Sequence, residues 1–214
     1  MRDDGTPTLE DHVTLVPRRA RRMLMVIAAL LAVAAMAPAA ASANGFGYTE
    51  LKLDPGTATA LTSAPPAGFG LTPGLVGAAT LSNPGSLLDG IRFPITNTLW
   101  NTLFTRQIRH TGGISLTGGG TTVTLTDYTI NLGWNPTLTA VVNATGNVNA
   151  SFGRVPILKL GFMGAGVNLG GGVLRIGPVT GRLTSTAASA LTAAFGAPDL
   201  TGTVLGKATV YRKL

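Results

Sequence analysis

Between Thr121 and Leu132 the chain alternates apolar and polar residues, and half-way along the alternation changes sides. Val123 and Leu125 are spaced by threonines; Tyr128, Ile130 and Leu132 then continue the apolar series on the opposite parity. Successive side chains of a strand point to opposite faces, so a half-buried strand has to keep one parity. A change of parity needs either an extra residue in the strand, a bulge, or a sheet buried on both faces. The pattern predicts a strand with a bulge near Thr126-Asp127, and it commits this part of the chain to pleated sheet.

Similar short apolar runs recur at Ile91–Ile95, Ile114–Leu116, Leu138–Asn143, Val148–Phe152, Ile157–Phe162, Val173–Ile176 and Val204–Tyr211. Turn-forming stretches separate them: Gly118-Gly119-Gly120, Gly133-Trp134-Asn135-Pro136, Thr145-Gly146-Asn147, Gly170-Gly171-Gly172 and Gly177-Pro178. Strands spaced by about ten residues favour a sandwich or barrel over alternating βαβ units. Two helices interrupt the rhythm, at about Pro55–Ser63 and Ser185–Ala194. Asp54 with Pro55, and Thr184-Ser185, supply cap and first-turn residues. Leu53 and Leu183 are each followed at the same offsets by Ala, Ala and Leu, and then by Gly77–Leu81 and Gly206–Val210. This reads as two similar strand–helix–strand units around an antiparallel middle; chance likeness of two Ala/Thr-rich segments is the alternative. Thr62–Pro73, rich in Pro and Gly, reads as a surface loop. The expected fold is mainly β, an antiparallel sandwich or partly closed barrel with two short helices flanking the central strands.

The N-terminal 43 residues read as a leader. A basic block from Arg18 to Arg22 precedes an apolar run, Met23–Met36, and small residues ending Ala41-Ser42-Ala43. That is the order of a secretory signal peptide, with cleavage expected after Ala43. A retained anchor is the alternative, although the run is short of the roughly 20 residues a spanning helix needs. The paired arginines leave the general and the twin-arginine export routes both open. The expected organisation is a signal peptide over 1–43 and one β-rich extracellular domain over 44–214, secreted or held at the cell surface.

Residues 44–214 contain no cysteine, so no disulfide supports the fold. Their eleven basic and five acidic side chains are scattered. No basic run interleaved with aromatics appears, which argues against nucleic acid. Attraction to an anionic envelope polymer or membrane surface is compatible with the charge. Catalytic patterns are missing: no H-E-x-x-H, no G-x-S-x-G, no phosphate loop, and only Glu50, Asp54, Asp89, Asp127 and Asp199 as carboxylates. The chain is expected not to be an enzyme. His110 is the single histidine after the leader. It can serve as a ligand to a metal or haem iron, or as a strand-end histidine bonded to a turn. Trp100 and Trp134 read as core anchors or ligand platforms, Tyr128 as core, and Tyr48 and Tyr211 as either.

Phe93-Pro94-Ile95, Ile108-Arg109-His110-Thr111-Gly112-Gly113-Ile114-Ser115-Leu116, Val123–Tyr128 and Leu183–Leu191 together resemble the HtaA-like domains of exported actinobacterial proteins. That family is linked to haem capture at the cell envelope. The resemblance implies a β-domain in which a histidine followed by glycine supports haem and an N-terminal tyrosine ligates the iron. His110 matches the first; Tyr48 is the only tyrosine placed for the second. Two readings follow. One is a non-catalytic envelope domain with a structural or adhesive role and a polymer or surface-protein partner. The other is a haem or hydrophobic-ligand binder that uses His110. An outer-membrane barrel is a weaker third, given few aromatics for its girdles.

Overall fold

A computed structural model describes residues 45–83 and 88–214. The expected leader and its cleavage site lie outside the described residues. Strand β7 (Thr121–Asn131) carries the predicted bulge. Its register against β8 (Thr137–Gly146) shifts between Thr126 and Thr129, and Asp127 adopts φ +52°. The extra residue lets Val123 and Tyr128, on opposite parities, both point inward and become buried. The device recurs. Against β8, strand β9 (Ala150–Gly161) shifts register beside Leu138, so its neighbours Ile157 and Leu158 are both buried. The two strands expected over Val148–Phe152 and Ile157–Phe162 are thus one. Gly177-Pro178 does not end a strand either. It lies within β11 (Val173–Leu183), where the register against β12 (Val204–Lys213) shifts between Ile176 and Val179 and Gly177 takes φ +142°.

The remaining strands are β1 (Gly47–Leu53), β2 (Thr72–Val76), β3 (Thr80–Leu81), β4 (Ile91–Pro94), β5 (Gln107–Arg109), β6 (Gly113–Gly118) and β10 (Gly166–Gly170). They form one antiparallel sheet in the order β2-β6-β7-β8-β9-β11-β12-β1-β4-β3, with β5 paired to β7 and β10 to β11. The sheet curls into a nearly closed barrel. At the end where β1 begins, the base, the ring is complete. There Ile95 bridges His110, the Thr96 amide donates to the Arg109 carbonyl (2.8 Å), and the Thr111 amide donates to Pro94 (3.1 Å). These bonds join β4 to β5, and β5 joins β7. At the opposite end, the mouth, no ladder joins β2 to β3. Pro73 on edge strand β2 and the two-residue length of β3 leave little backbone there for another chain to pair with.

Three helices decorate the barrel among the described residues. α1 (Pro55–Thr62) follows β1 and α3 (Ser185–Phe195) follows β11, so both sit at the mouth. Asp54 accepts from the Thr57 amide at 3.1 Å, and Thr184 accepts from the Ala187 amide at 3.1 Å. α3 ends at Gly196, φ +69°. α2 (Leu99–Thr105), capped by Thr98, was not expected: only Thr102 is buried, so it has no apolar stripe for a sequence pattern to reveal. The correspondence between the two strand–helix–strand units is partial. Gly77–Ala79 form a turn rather than a strand, and the expected loop over Thr62–Pro73 yields Thr72 and Pro73 to β2.

Outward positions on β7 and β8, such as Thr122, Thr124, Thr139 and Asn143, are polar where a bilayer-spanning barrel needs an apolar band. No helix among the described residues is long and apolar enough to cross a membrane. The buried core gathers inward side chains of the strands, from Leu51 to Val210, together with Ala79 and, from α3, Ala187.

Candidate functional site

The barrel interior has two compartments. The basal one is packed around His110, Tyr128, Phe93, Leu51, Leu158 and Leu160, and leaves only about 30 Å³ free. Phe93 and Tyr128 meet edge to face, 4.8 Å between ring centres. His110 directly follows β5, and both its ring nitrogens are occupied. Nδ1 lies 3.1 Å from the Tyr128 carbonyl and Nε2 lies 2.7 Å from Thr49 Oγ1. A carbonyl can only accept, so Nδ1 carries the proton and Nε2 accepts from the Thr49 hydroxyl. Burial lowers the His110 pKa to about 4; the Tyr128 carbonyl opposes this and the Arg212 charge adds to it. Burial likewise holds Tyr128 protonated, against the backbone of Ile114. Arg212, at the floor of the barrel, is almost fully buried. Its Nη2 donates to the Asn97 carbonyl at 2.6 Å and its guanidinium lies 5.8 Å from the Phe46 ring centre. Desolvation lowers its pKa.

Tyr48 is elsewhere. It precedes Thr49 on β1, so its ring lies on the outer face while Thr49 reaches inward to His110. There it stacks on Tyr211 at 4.8 Å, with the Arg92 guanidinium 4.9 Å from its ring centre. The sheet therefore separates His110 from Tyr48. One iron cannot take both, His110 has no free ring nitrogen, and the space beside it is far below the 300 Å³ or more of a ligand pocket. These residues do not fit haem. Trp100 and Trp134 do not anchor the core: both are exposed at the base. Among the described residues, no three His, Cys, Asp or Glu side chains gather as a metal site.

The compartment toward the mouth is different. It is a cavity of about 530 Å³ with almost wholly apolar walls. Inward residues of the sheet, among them Leu53, Ile114, Leu125, Val142, Val155 and Ile157, form one side. Ala58 and Leu61 of α1 and Ala187, Ala190 and Leu191 of α3 form the other. Among the described residues no charged side chain lines it. The threonines that do are largely engaged: Thr57 donates to the Val204 carbonyl, Thr59 to Pro55 and Thr62 to Ala58. The wall thus offers a ligand contact area and few polar bonds. Sequence reasoning missed this cavity because its lining uses the same Leu, Val and Ala as the core. The small Ala faces of the two helices were the available sign. A third, polar recess on the outer wall is lined by Gln107, Arg109, Asn131 and Arg154.

The sequence matches no protein-family profile and no curated protein. The structure does have solved counterparts. The C-terminal domain of HtaA from Corynebacterium glutamicum superposes with a TM-score of 0.52 at 14% identity, covering 79% of this chain and 98% of that one. The fold is that of the HtaA C-terminal domain. A domain-swapped dimer of a histidine-to-alanine variant of the same domain aligns at a TM-score of 0.47 and 17% identity, over 67% of this chain and 83% of the other. At 14% identity the likeness is one of fold, and it bears out the resemblance to HtaA-like β-domains expected from the sequence.

Proposed function

We propose that this chain is a non-catalytic binding domain of the cell envelope that holds an apolar, chain-like ligand in the mouth of its barrel. The cavity of about 530 Å³ carries this reading. Interiors are normally packed with few voids larger than a water. At about 24 cal/mol per Å³, an enclosed void of this size would cost on the order of 10 kcal/mol, comparable with a whole domain's stability. A hollow at a barrel mouth, walled in part by two helices, is instead the usual place for a small hydrophobic ligand. The described lining carries no charged group, and beyond the engaged threonines only the Thr186 and Ser189 hydroxyls of α3; such a wall selects a hydrocarbon tail, with any polar head left at the opening. Export follows from the leader's charge and apolar pattern and is part of the same proposal.

The test is titration of residues 44–214 with a fluorescent long-chain fatty acid, alongside haemin. Saturable binding of the acyl probe is expected, with affinity reduced at least tenfold by Ala190→Phe, which fills the cavity from α3. Haemin that gives a Soret band abolished by His110→Ala would overturn the reading in favour of a haem site. Absence of acyl binding with intact secondary structure would also overturn it.

A further inference from the structure

We propose that the base of the barrel docks on an anionic lipid surface. The observation is where the exposed apolar side chains fall. Among the described residues, ten of the twelve exposed large hydrophobics lie at the base, and only Leu88 and Phe152 lie at the mouth. They come from separate loops that the topology brings to one end: α2 between β4 and β5, the β7–β8 turn, the β9–β10 turn and the β10–β11 hairpin. Trp134 is 101% exposed, Met163 98%, Phe104 84% and Trp100 71%. Trp100 and Phe104 stack with ring centres 6.4 Å apart and present a joint face outward. The Leu132 amide bonds the Arg106 carbonyl at 2.8 Å, which seats the Trp134 turn beside α2. A ring of solvated aromatic and thioether side chains of this extent marks an interaction surface rather than chance exposure.

Charge decides the occupant. Arg106, Arg109, Arg175 and Lys213 are exposed at or beside the same end. Among the described residues the acidic side chains are elsewhere: Asp54, Asp89 and Asp199 at the mouth, Glu50 and Asp127 along the wall. Aromatic residues that settle at headgroup depth, backed by cations and free of carboxylates, complement a negatively charged bilayer. A second copy of the chain would bring the same cations face to face.

The two tryptophans of the chain, Trp100 and Trp134, both lie in this ring and report on it directly. Residues 44–214 are mixed with vesicles of phosphatidylglycerol and phosphatidylcholine, and with phosphatidylcholine alone. Co-sedimentation with the anionic vesicles and a blue shift of tryptophan emission are expected, both weakening as salt is raised. Arg109→Gln with Lys213→Gln should weaken binding about fivefold for each charge removed. Phe104→Ser with Met163→Ser should weaken it further, with an unchanged circular dichroism spectrum. Unshifted emission and no co-sedimentation would overturn the proposal. So would a concentration-dependent dimer, lost in Phe104→Ser, in protein that ignores vesicles. Binding by the double serine variant as tight as wild type would overturn it as well. The proposal concerns the end opposite the cavity and stands apart from the ligand reading.

Discussion

The two halves of one barrel are filled by opposite rules. At the base, Leu158, Ile95 and Arg212 are almost completely enclosed and the free space is about 30 Å³. At the mouth, residues of the same strands, two positions along, face about 530 Å³ of open apolar space. Leu51 belongs to the packed half and Leu53 to the hollow one; Phe93 and Ile91 divide likewise. Side-chain chemistry is nearly the same in both. What differs is closure. Where β5 completes the ring the walls converge and the side chains meet; where β2 and β3 do not pair with each other and helices stand in for strands, they do not. The lesson is that a β-barrel can take its rigidity from one end and its capacity from the other.

The largest test of this contrast is a pair of truncations. Leu158→Ala in the packed half should cost about 3–5 kcal/mol, because an enclosed site cannot relax around the void. Leu125→Ala in the hollow half should cost only about 1–2 kcal/mol, since its side chain already lacks neighbours on one side. Urea denaturation of both variants measures the difference, and equal losses would break the comparison.

Next in size is a pH effect confined to the base. The His110 pKa is lowered to about 4 in the folded chain, below its ordinary value near 6.5. The unfolded chain therefore takes up the proton first as pH falls. Stability is full above about pH 6.5 and declines between there and pH 4, by about 3 kcal/mol in total. Urea midpoints across that range should show the decline, and His110→Gln should flatten it. Acyl-probe affinity at the mouth, measured in still-folded protein, should not follow the same curve.

Thr49→Val sharpens the point on one bond. It leaves a buried ring nitrogen without its donor, at a cost of about 1–3 kcal/mol by urea denaturation. The smallest effect belongs to the bulge. Asp127 is exposed and holds φ +52°, where a residue with a Cβ is strained. Asp127→Gly should raise stability by up to about 1 kcal/mol, and Asp127→Val should lower it, in thermal melts.

Much of this architecture is written locally. The parity change in Thr121–Leu132 is a statement about two faces of one strand, and the bulge at Asp127 answers it. Asp54 and Thr184 act on amides three residues away, so their helices were legible too. The site was not. Whether Leu125 packs or lines a hollow depends on how ten strands curve together, which no window of sequence contains. His110 stood out by its rarity, but its partner Thr49 is 61 residues distant and unremarkable in composition. Tyr48 was paired with it through the family resemblance alone; alternation along Gly47–Leu53, a strand the sequence reading did not include, puts the two on opposite sides of the wall. α2 escaped notice because its large side chains face solvent, the reverse of the pattern that betrays a helix.

The missing ladder between β2 and β3 has a mechanical meaning. A ring of hydrogen-bonded strands has its girth set by strand number and stagger, and widening it means breaking bonds. The basal ring is of that kind. The upper wall is a strip with two free margins, so β2 and β6 can swing outward without the loss of a single ladder bond. An orifice built this way grips by surface contact and not by a fixed outline. It should therefore accept tails that differ in thickness, branching or unsaturation with little change in affinity, while the floor beneath them keeps one shape.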